Sequence, residues 1–444
     1  MSESPEAWRS LTAIERFMLR SEQAGGAMFF TGEVDFAGVI DEDVLERAVQ
    51  IALASNPLLC CVVDRSQSPA LWRTVSTENV FHSRRVVRLA KPYEEPLEPI
   101  DLEKSPGIRV VLTCDDGHQM RLVMHYHHAC TDGQGAARFF LREVFNAYAS
   151  LRKGESPKVG LDVKLLESRG RFLRPDGQPA IGIGEGLRNL WVTVRGKTAR
   201  FKSIAKNAAT EIPSSSVVVE VQLEDSLLHR VQELLRDRQV VLNDVALGAA
   251  FLMLAQAELD TSRSHYFSIL NPAALRTWAD RRLPAANRIG FAYVRRRAKD
   301  WTTARSLLES VSQQMDYVRS RGVAAELLKG IELIEKFPRI LSFVEKSPRF
   351  TPTATLTCMS NLALGRRHGL SLDEAGWKLG DAYVRRVSAT VPLPPGVPLA
   401  IIVVGYGDTM SVVMRGCRQY FDEALIRRLI ENWIAGCEAI CTYP

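Results

Sequence analysis

The sequence predicts a mixed-sheet α/β fold, on three observations. Short alternating apolar runs recur between longer amphipathic stretches along the 444 residues, pairs of those runs are spaced as antiparallel hairpins, and no short internal repeat is apparent. With 46% apolar residues, the chain can bury one large core or two medium ones, and its length favours two domains.

The elements follow in order. A helix is predicted around Thr12 to Leu19 and a strand around Met28 to Phe36. Val44, Leu45, Ala48, Ile51 and Ala52 recur at helical spacing, which predicts a helix over 42–55 that stops at Asn56 and Pro57, because proline cannot continue a helix interior. Leu58 to Val63 resumes as a strand. Ile108 to Thr113 and Met120 to His127 read as a hairpin closed by Asp115, Asp116 and Gly117. Gln134 to Arg152 carries apolar residues at helical spacing and ends before Gly154.

From Gly154 to Ser216 the composition shifts to Gly, Pro, Lys and Arg, the expected crossover between two halves. Its AIGIGEG stretch spaces glycines like part of a dinucleotide loop, but no strand precedes it, so a linker is the better reading. The second half then continues with a strand at Val217 to Leu223 and a helix at Asp225 to Arg236. A buried helix from Asp244 to Ala257, capped by Asn243, precedes a strand at Tyr266 to Leu270. A long helical region from Trp301 to about Leu341, strands at Thr353 to Met359 and Leu399 to Tyr406, and a last helix from Asp422 to Cys441 complete the expectation.

The eight cysteines are scattered, without paired metal-site spacing, and read as reduced thiols; Cys437 and Cys441 alone make a weak zinc pair. No metal is expected. The N-terminal residues show no basic segment followed by an apolar run, so a cytoplasmic location is expected. Net charge is +6, with much of the excess between Arg152 and Lys206. No interleaved aromatic and basic strand pattern accompanies it, which argues against nucleic acid and for coenzyme phosphates or an acidic carrier protein. Leu187 to Lys206 is basic and partly amphipathic, open to a peripheral membrane contact or to a helix covering the core.

The segment RLVMHYHHACTDG concentrates the chemistry. Strand alternation puts His125 and His127 on one face and Tyr126 and His128 on the other, so the adjacent histidines cannot form one site. His127 is expected to be structural and His128, at the strand end, to be the proton-transferring group, since imidazole titrates near neutrality. Asp132 is placed either to cap the following helix or to hold an arginine, and Gly133 to allow a close backbone approach. Cys130 beside His128 raises the alternative of a thiol nucleophile, but no aspartate is placed to orient such a pair.

HHACTDG resembles the His-His-x-x-x-Asp-Gly motif of the chloramphenicol acetyltransferase-like superfamily, which includes peptide condensation domains, alcohol acetyltransferases and polyketide-associated acyltransferases. ASNPLLCCVV, LNDVALGAAF, ILNPAALR, ANRIGFAYV and CMSNLALG resemble further segments of that family in the same order, with Asn56 and Cys60 as departures. No Asp-Phe-Gly-Trp-Gly segment occurs, which disfavours the plant branch, and the Pro-Leu-Ser-Pro opening of wax ester synthases is absent. The resemblance implies two similar subdomains forming a V around an active-site tunnel: residues 1–180, a basic crossover at 181–215, and 216–444.

It implies His128 as general base and an ion pair between Asp132 and Arg276, with His127 and Arg276 as structural support. Ser360, Asn361 and Asn271 become candidates for the oxyanion site or tunnel. The implied reaction moves an acyl group from acyl-CoA or an acyl carrier protein to an alcohol or amine, without a cofactor beyond the thioester donor itself, in a protein expected to act as a monomer. The rival expectation is a silent, thioester-binding protein of the same fold.

Overall fold

The computed structural model describes residues 7–94, 99–171, 185–186, 189, 192, 196–204, 216–237, 240–260, 265–337, 339, 351–359, 372–373 and 376–442. Two mixed sheets organise it. In chain order the strands begin with β1 (Ala7–Ser10), β2 (Phe29–Ala37), β3 (Cys61–Asp64), β4 (Leu71–Thr74), β5 (Phe81–Val86), β6 (Ile108–Asp115), β7 (Met120–His127), β8 (Arg200–Phe201) and β9 (Ser216–Gln222). They continue with β10 (Leu259–Asp260), β11 (Phe267–Ala274), β12 (Ile289–Arg296), β13 (Ala354–Met359), β14 (Leu372–Asp373), β15 (Gly376–Leu379), β16 (Ala382–Ala389), β17 (Leu399–Tyr406) and β18 (Thr409–Cys417). The helices are α1 (Ala13–Gln23), α2 (Glu42–Ser55), α3 (Arg142–Arg152), α4 (Asp225–Asp237), α5 (Leu242–Gln256), α6 (Ala304–Arg321), α7 (Val323–Glu335) and α8 (Glu423–Cys441).

One sheet has the order β14-β15-β16-β2-β7-β6-β5 and the other β12-β11-β13-β17-β18-β9. Most neighbours are antiparallel, with parallel pairs at β5–β6, β11–β13 and β13–β17. The sheets do not divide at the expected boundary. Strands β14 to β16 come from the second half of the chain yet pair beside β2, Ala389 lying opposite Gly32 and Tyr383 opposite Ala37.

Local physics accounts for the elements that position the site. Asp41 caps α2, its side chain accepting from the Val44 N–H at 3.1 Å, and Pro57 follows the end of the helix. Leu58 to Cys60 then form a single 3-10 turn instead of the expected strand, which begins only at Cys61. Helix α5 carries apolar residues around its circumference and is buried in the second core along most of its length, as such a helix must be. It starts at Leu242, so Asn243 is not its cap; the Asn243 amide instead exchanges hydrogen bonds with Asn271 at 2.9 and 3.2 Å.

The long helical region after Trp301 is two helices. Gly322, at φ 64°, closes α6 in the left-handed conformation that glycine adopts without steric cost, and α7 restarts in a new direction. Its predicted end at Leu341 lies outside the described residues. Leu187 to Lys206 falls partly outside them; within the part described, Lys197, Arg200 and Lys202 are exposed around β8. No described helix is long and apolar enough to cross a membrane.

A buried and a half-buried arginine join the halves. Arg415 of β18 donates to the Phe29 and Val391 carbonyls, each at 3.1 Å, and to Ser216 Oγ at 3.1 Å, with its guanidinium over the Phe29 ring. Burial without a carboxylate among these partners brings its pKa down to about 10. Arg386 of β16 bridges Glu33 and Asp35 on β2 to Glu220 on β9.

Candidate active site

Strand β7 delivers the two histidines to different surroundings. Met124, Tyr126 and His128 line a cavity of about 790 Å³ enclosed by both halves. His125 and His127 are buried on the opposite face. The His127 ring is held at both ends: the Ala129 N–H donates to Nδ1 at 3.1 Å, which places the ring proton on Nε2, and that nitrogen donates to Glu22 at 3.1 Å. Among the described residues neither ring nitrogen of His125 has a hydrogen-bond partner, and the ring packs edge-on against Phe29. Burial, reinforced by Arg109 and Arg415, pushes its pKa down to about 3.

His128 sits where β7 gives way to a turn, its N–H donating to the Met28 carbonyl at 2.9 Å and its ring against Phe30. Burial lowers its pKa; hydrogen bonds from the ring to its own carbonyl and to that of Thr131, together with the charge of Asp132, oppose that effect. Asn287 completes the arrangement. Its Nδ2 donates to the His128 carbonyl at 2.7 Å and lies 3.2 Å from Nδ1. Both contacts of Asn287 lie on the Nδ1 side of the ring, which leaves Nε2 clear of the amide.

Asp132 is buried and caps the helix that follows. Its Oδ1 accepts from the Gly135 N–H at 2.6 Å, and its main-chain carbonyl accepts from Ala136 at 2.9 Å. The Oδ2 accepts from the Arg288 main-chain N–H at 2.7 Å. The expected ion pair with Arg276 is not made. Arg276 instead donates to the Leu283, Pro284 and Ala286 carbonyls and stacks over Phe139 at 4.3 Å. Two short backbone N–H bonds already satisfy the carboxylate, so it needs no cation in contact. The residues communicate through Ala286, whose carbonyl accepts from Arg276 at 3.0 Å and from the Asp132 N–H at 3.4 Å.

The close backbone approach also falls elsewhere than expected. A Cβ on Gly133 would meet only Met359, at an ordinary 3.5 Å, whereas a Cβ on Gly135 would lie 2.2 Å from Thr131 Oγ1 and 3.2 Å from the Ala286 backbone. Gly135 is the glycine that lets the 283–287 loop press against the turn. From there to Leu141 the helix has the wider π geometry before α3 begins.

Asn271 does not face the cavity. Alternation along β11 sends Leu270, Pro272 and Ala274 there, while Asn271 bonds Asn243 and the Leu356 carbonyl. Ser360 and Asn361 lie outside the described residues. Cys130 is buried against Gly107, and burial pushes its thiol well above the ordinary range, which disfavours a thiolate nucleophile. Among the described residues no cluster of His, Cys, Asp or Glu could hold a metal ion.

Asn287, Gly135 and Asn56 are functional-site residues that sequence reasoning left unassigned. Asn56 Oδ1 accepts from the Ala285 N–H at 2.7 Å, tying the end of α2 to the same loop. The signal was present in AANRIGF, where two strongly polar residues interrupt an apolar run; both prove buried.

No family model matches this sequence, and no curated protein does. Solved structures match over nearly its whole length. The first condensation domain of the CDA synthetase superposes with a TM-score of 0.70 at 15% identity, covering 99% of this chain and 97% of that one. The starter condensation domain of rhizomide synthetase, solved with C8-CoA and Leu-SNAC, gives 0.68 at 16% identity over 98% and 95%. Trichothecene 15-O-acetyltransferase from Fusarium sporotrichioides gives 0.67 at 13% identity over 97% and 94%. The chain therefore has the mixed α/β, two-subdomain fold that these condensation domains and this acetyltransferase share.

Proposed function

We propose that the protein transfers an acyl group from a thioester, acyl-CoA or an acyl carrier protein, to an alcohol or amine. The observation that carries this is His128, a buried imidazole with Asn287 against its Nδ1 side, lining a cavity of about 790 Å³. The rhizomide domain, which binds both a CoA thioester and an aminoacyl thioester mimic, supports the same substrate classes here.

In this reading Nε2 of His128 takes the proton from the acceptor O–H or N–H while that heteroatom attacks the thioester carbonyl. The tetrahedral oxyanion then collapses, the C–S bond breaks, and the thiolate recovers the proton from the imidazolium. No acyl-enzyme is needed and no proton is lost. The first-turn N–H of Gly133, at the start of a helix bordering the cavity, is the proposed oxyanion donor. His127 and Asp132 act by positioning: the first anchors the strand to α1 through Glu22, and the second fixes the turn and the 283–287 loop that carries Asn287.

An epimerisation domain from tyrocidine synthetase also shares the fold. That chemistry needs a second proton-transferring group. Among the described lining residues the carboxylates are Asp132, held by two N–H groups, and Glu326 on α7, paired with Lys329. Acyl transfer is therefore the better reading. The test is mass spectrometry of products formed from acyl-CoA donors with mixed alcohols and amines, where His128→Ala is expected to lower transfer at least ~100-fold. Near wild-type turnover by a folded His128→Ala protein would overturn the mechanism.

A further inference from the structure

Helix α7 turns Val323, Glu326, Leu327, Gly330, Ile331 and Ile334 to the cavity, one face of a helix. Four of the six are branched aliphatics. At 1.5 Å of rise per residue the stripe runs about 16 Å. An extended chain advances ~1.2 Å per bond, so this is the length of roughly 13 carbon–carbon bonds. Phe17 and Met18 of α1 and Phe291 of β12 line the same cavity. The wall is fixed at its far end, where Glu335 pairs with Arg16 at 2.6 Å and Arg20 at 2.7 Å.

Gly330 interrupts the stripe. A mid-helix glycine weakens a helix relative to alanine, and it forfeits contacts that a core position would otherwise make. Tight packing does not explain it. Among the described residues a Cβ at Gly330 would find nothing within 4 Å, in contrast to Gly290, where a Cβ would lie 2.3 Å from the Ala324 carbonyl oxygen. The missing side chain leaves open space on the wall of an apolar cavity.

We propose that a long unbranched aliphatic chain of about 12 to 16 carbons lies along α7 and that Gly330 is the specificity position that admits it. The identity of the carrier, the thioester donor or the alcohol acceptor, rests on the acyl-transfer reading; the channel does not. Binding of the fluorescent fatty acid cis-parinaric acid, displaced by palmitoyl-CoA, octanoyl-CoA or 1-hexadecanol, tests both. Palmitoyl-CoA is expected to compete at least ~100-fold better than octanoyl-CoA because more methylenes are buried, and Gly330→Trp or Gly330→Leu to cut that ratio below ~5-fold. Gly330→Ala should keep the ratio and raise the melting temperature.

Failure of parinaric acid to bind, a wild-type ratio in a folded Gly330→Trp protein, or a lowered melting temperature in Gly330→Ala each overturns the proposal. Displacement by hexadecanol but not palmitoyl-CoA assigns the chain to the acceptor. Chain binding that depends on Gly330, without transfer to any acceptor, upholds the channel and removes the acyl-transfer reading.

Discussion

Replacing Asp132 separates two ways in which a buried carboxylate can be stabilised. The side chain accepts two backbone N–H bonds, at 2.6 and 2.7 Å, and is 1% exposed. Each hydrogen bond to a charged group contributes ~1.5–3 kcal/mol, so Asp132→Ala is expected to cost about 3–6 kcal/mol. Arg276→Ala removes three longer bonds to carbonyls and the stack on Phe139, and is expected to destabilise the fold as well. Because the two residues share no hydrogen bond beyond the Ala286 carbonyl and otherwise act on each other only by charge at longer range, the double mutant should show nearly additive losses, with a coupling below about 1 kcal/mol. Urea unfolding of the four proteins, followed by fluorescence of the buried tryptophans, measures it. A coupling above ~2 kcal/mol would mean a direct ion pair and would refute the backbone account of Asp132.

Burial holds the His128 pKa below its ordinary value and the charge of Asp132 partly restores it; the acid limb of kcat/KM should therefore fall below ~6.5, and Asp132→Asn should move it lower still. A limb at or above that value in a pH–rate profile contradicts the assignment. His125, with a folded pKa of about 3, stays neutral while the unfolded chain takes up a proton below ~6.5. Its contribution is thus present above that pH and lost as pH falls toward 3, at ~1.4 kcal/mol per unit; unfolding of wild type and His125→Gln between neutral and mildly acidic pH should differ by that slope, and parallel profiles would dismiss it. If exposed Lys197, Arg200 and Lys202 attract donor phosphates, neutralising all three should flatten the rise of donor KM with salt. An unchanged salt slope would assign them to solvation alone.

What the sequence made legible was set by local rules. The α2 pattern and its proline stop match the observed helix residue for residue, and period-two alternation separates the faces of Tyr126 and His128 from those of His125 and His127. Sequence rules fell short where distant segments decide. The capping role of Asp132 is legible from its place before the helix, but nothing near it shows that an Arg288 main-chain N–H will arrive to take the second oxygen in place of a guanidinium. The purpose of Asn287 is invisible without the turn it clasps. Residues 382–389, with charged Arg385 and Arg386 in mid-strand, read poorly as a sheet interior until the carboxylates of β2 and β9 are set beside them.

The borrowed strands β14 to β16 decide how the polypeptide can be divided. A fragment ending near residue 215 would keep β2 but not the segment that hydrogen-bonds along its outer side from Gly32 to Ala37. That row of donors and acceptors would become a raw margin, ready to recruit any extended chain and prone to self-association. The remaining fragment would carry the complementary ribbon with nothing to sit on. Two such pieces should be individually insoluble yet restore each other when co-expressed, which makes this strand exchange a natural seam for a split-protein reporter and a poor place to exchange one half for that of another protein.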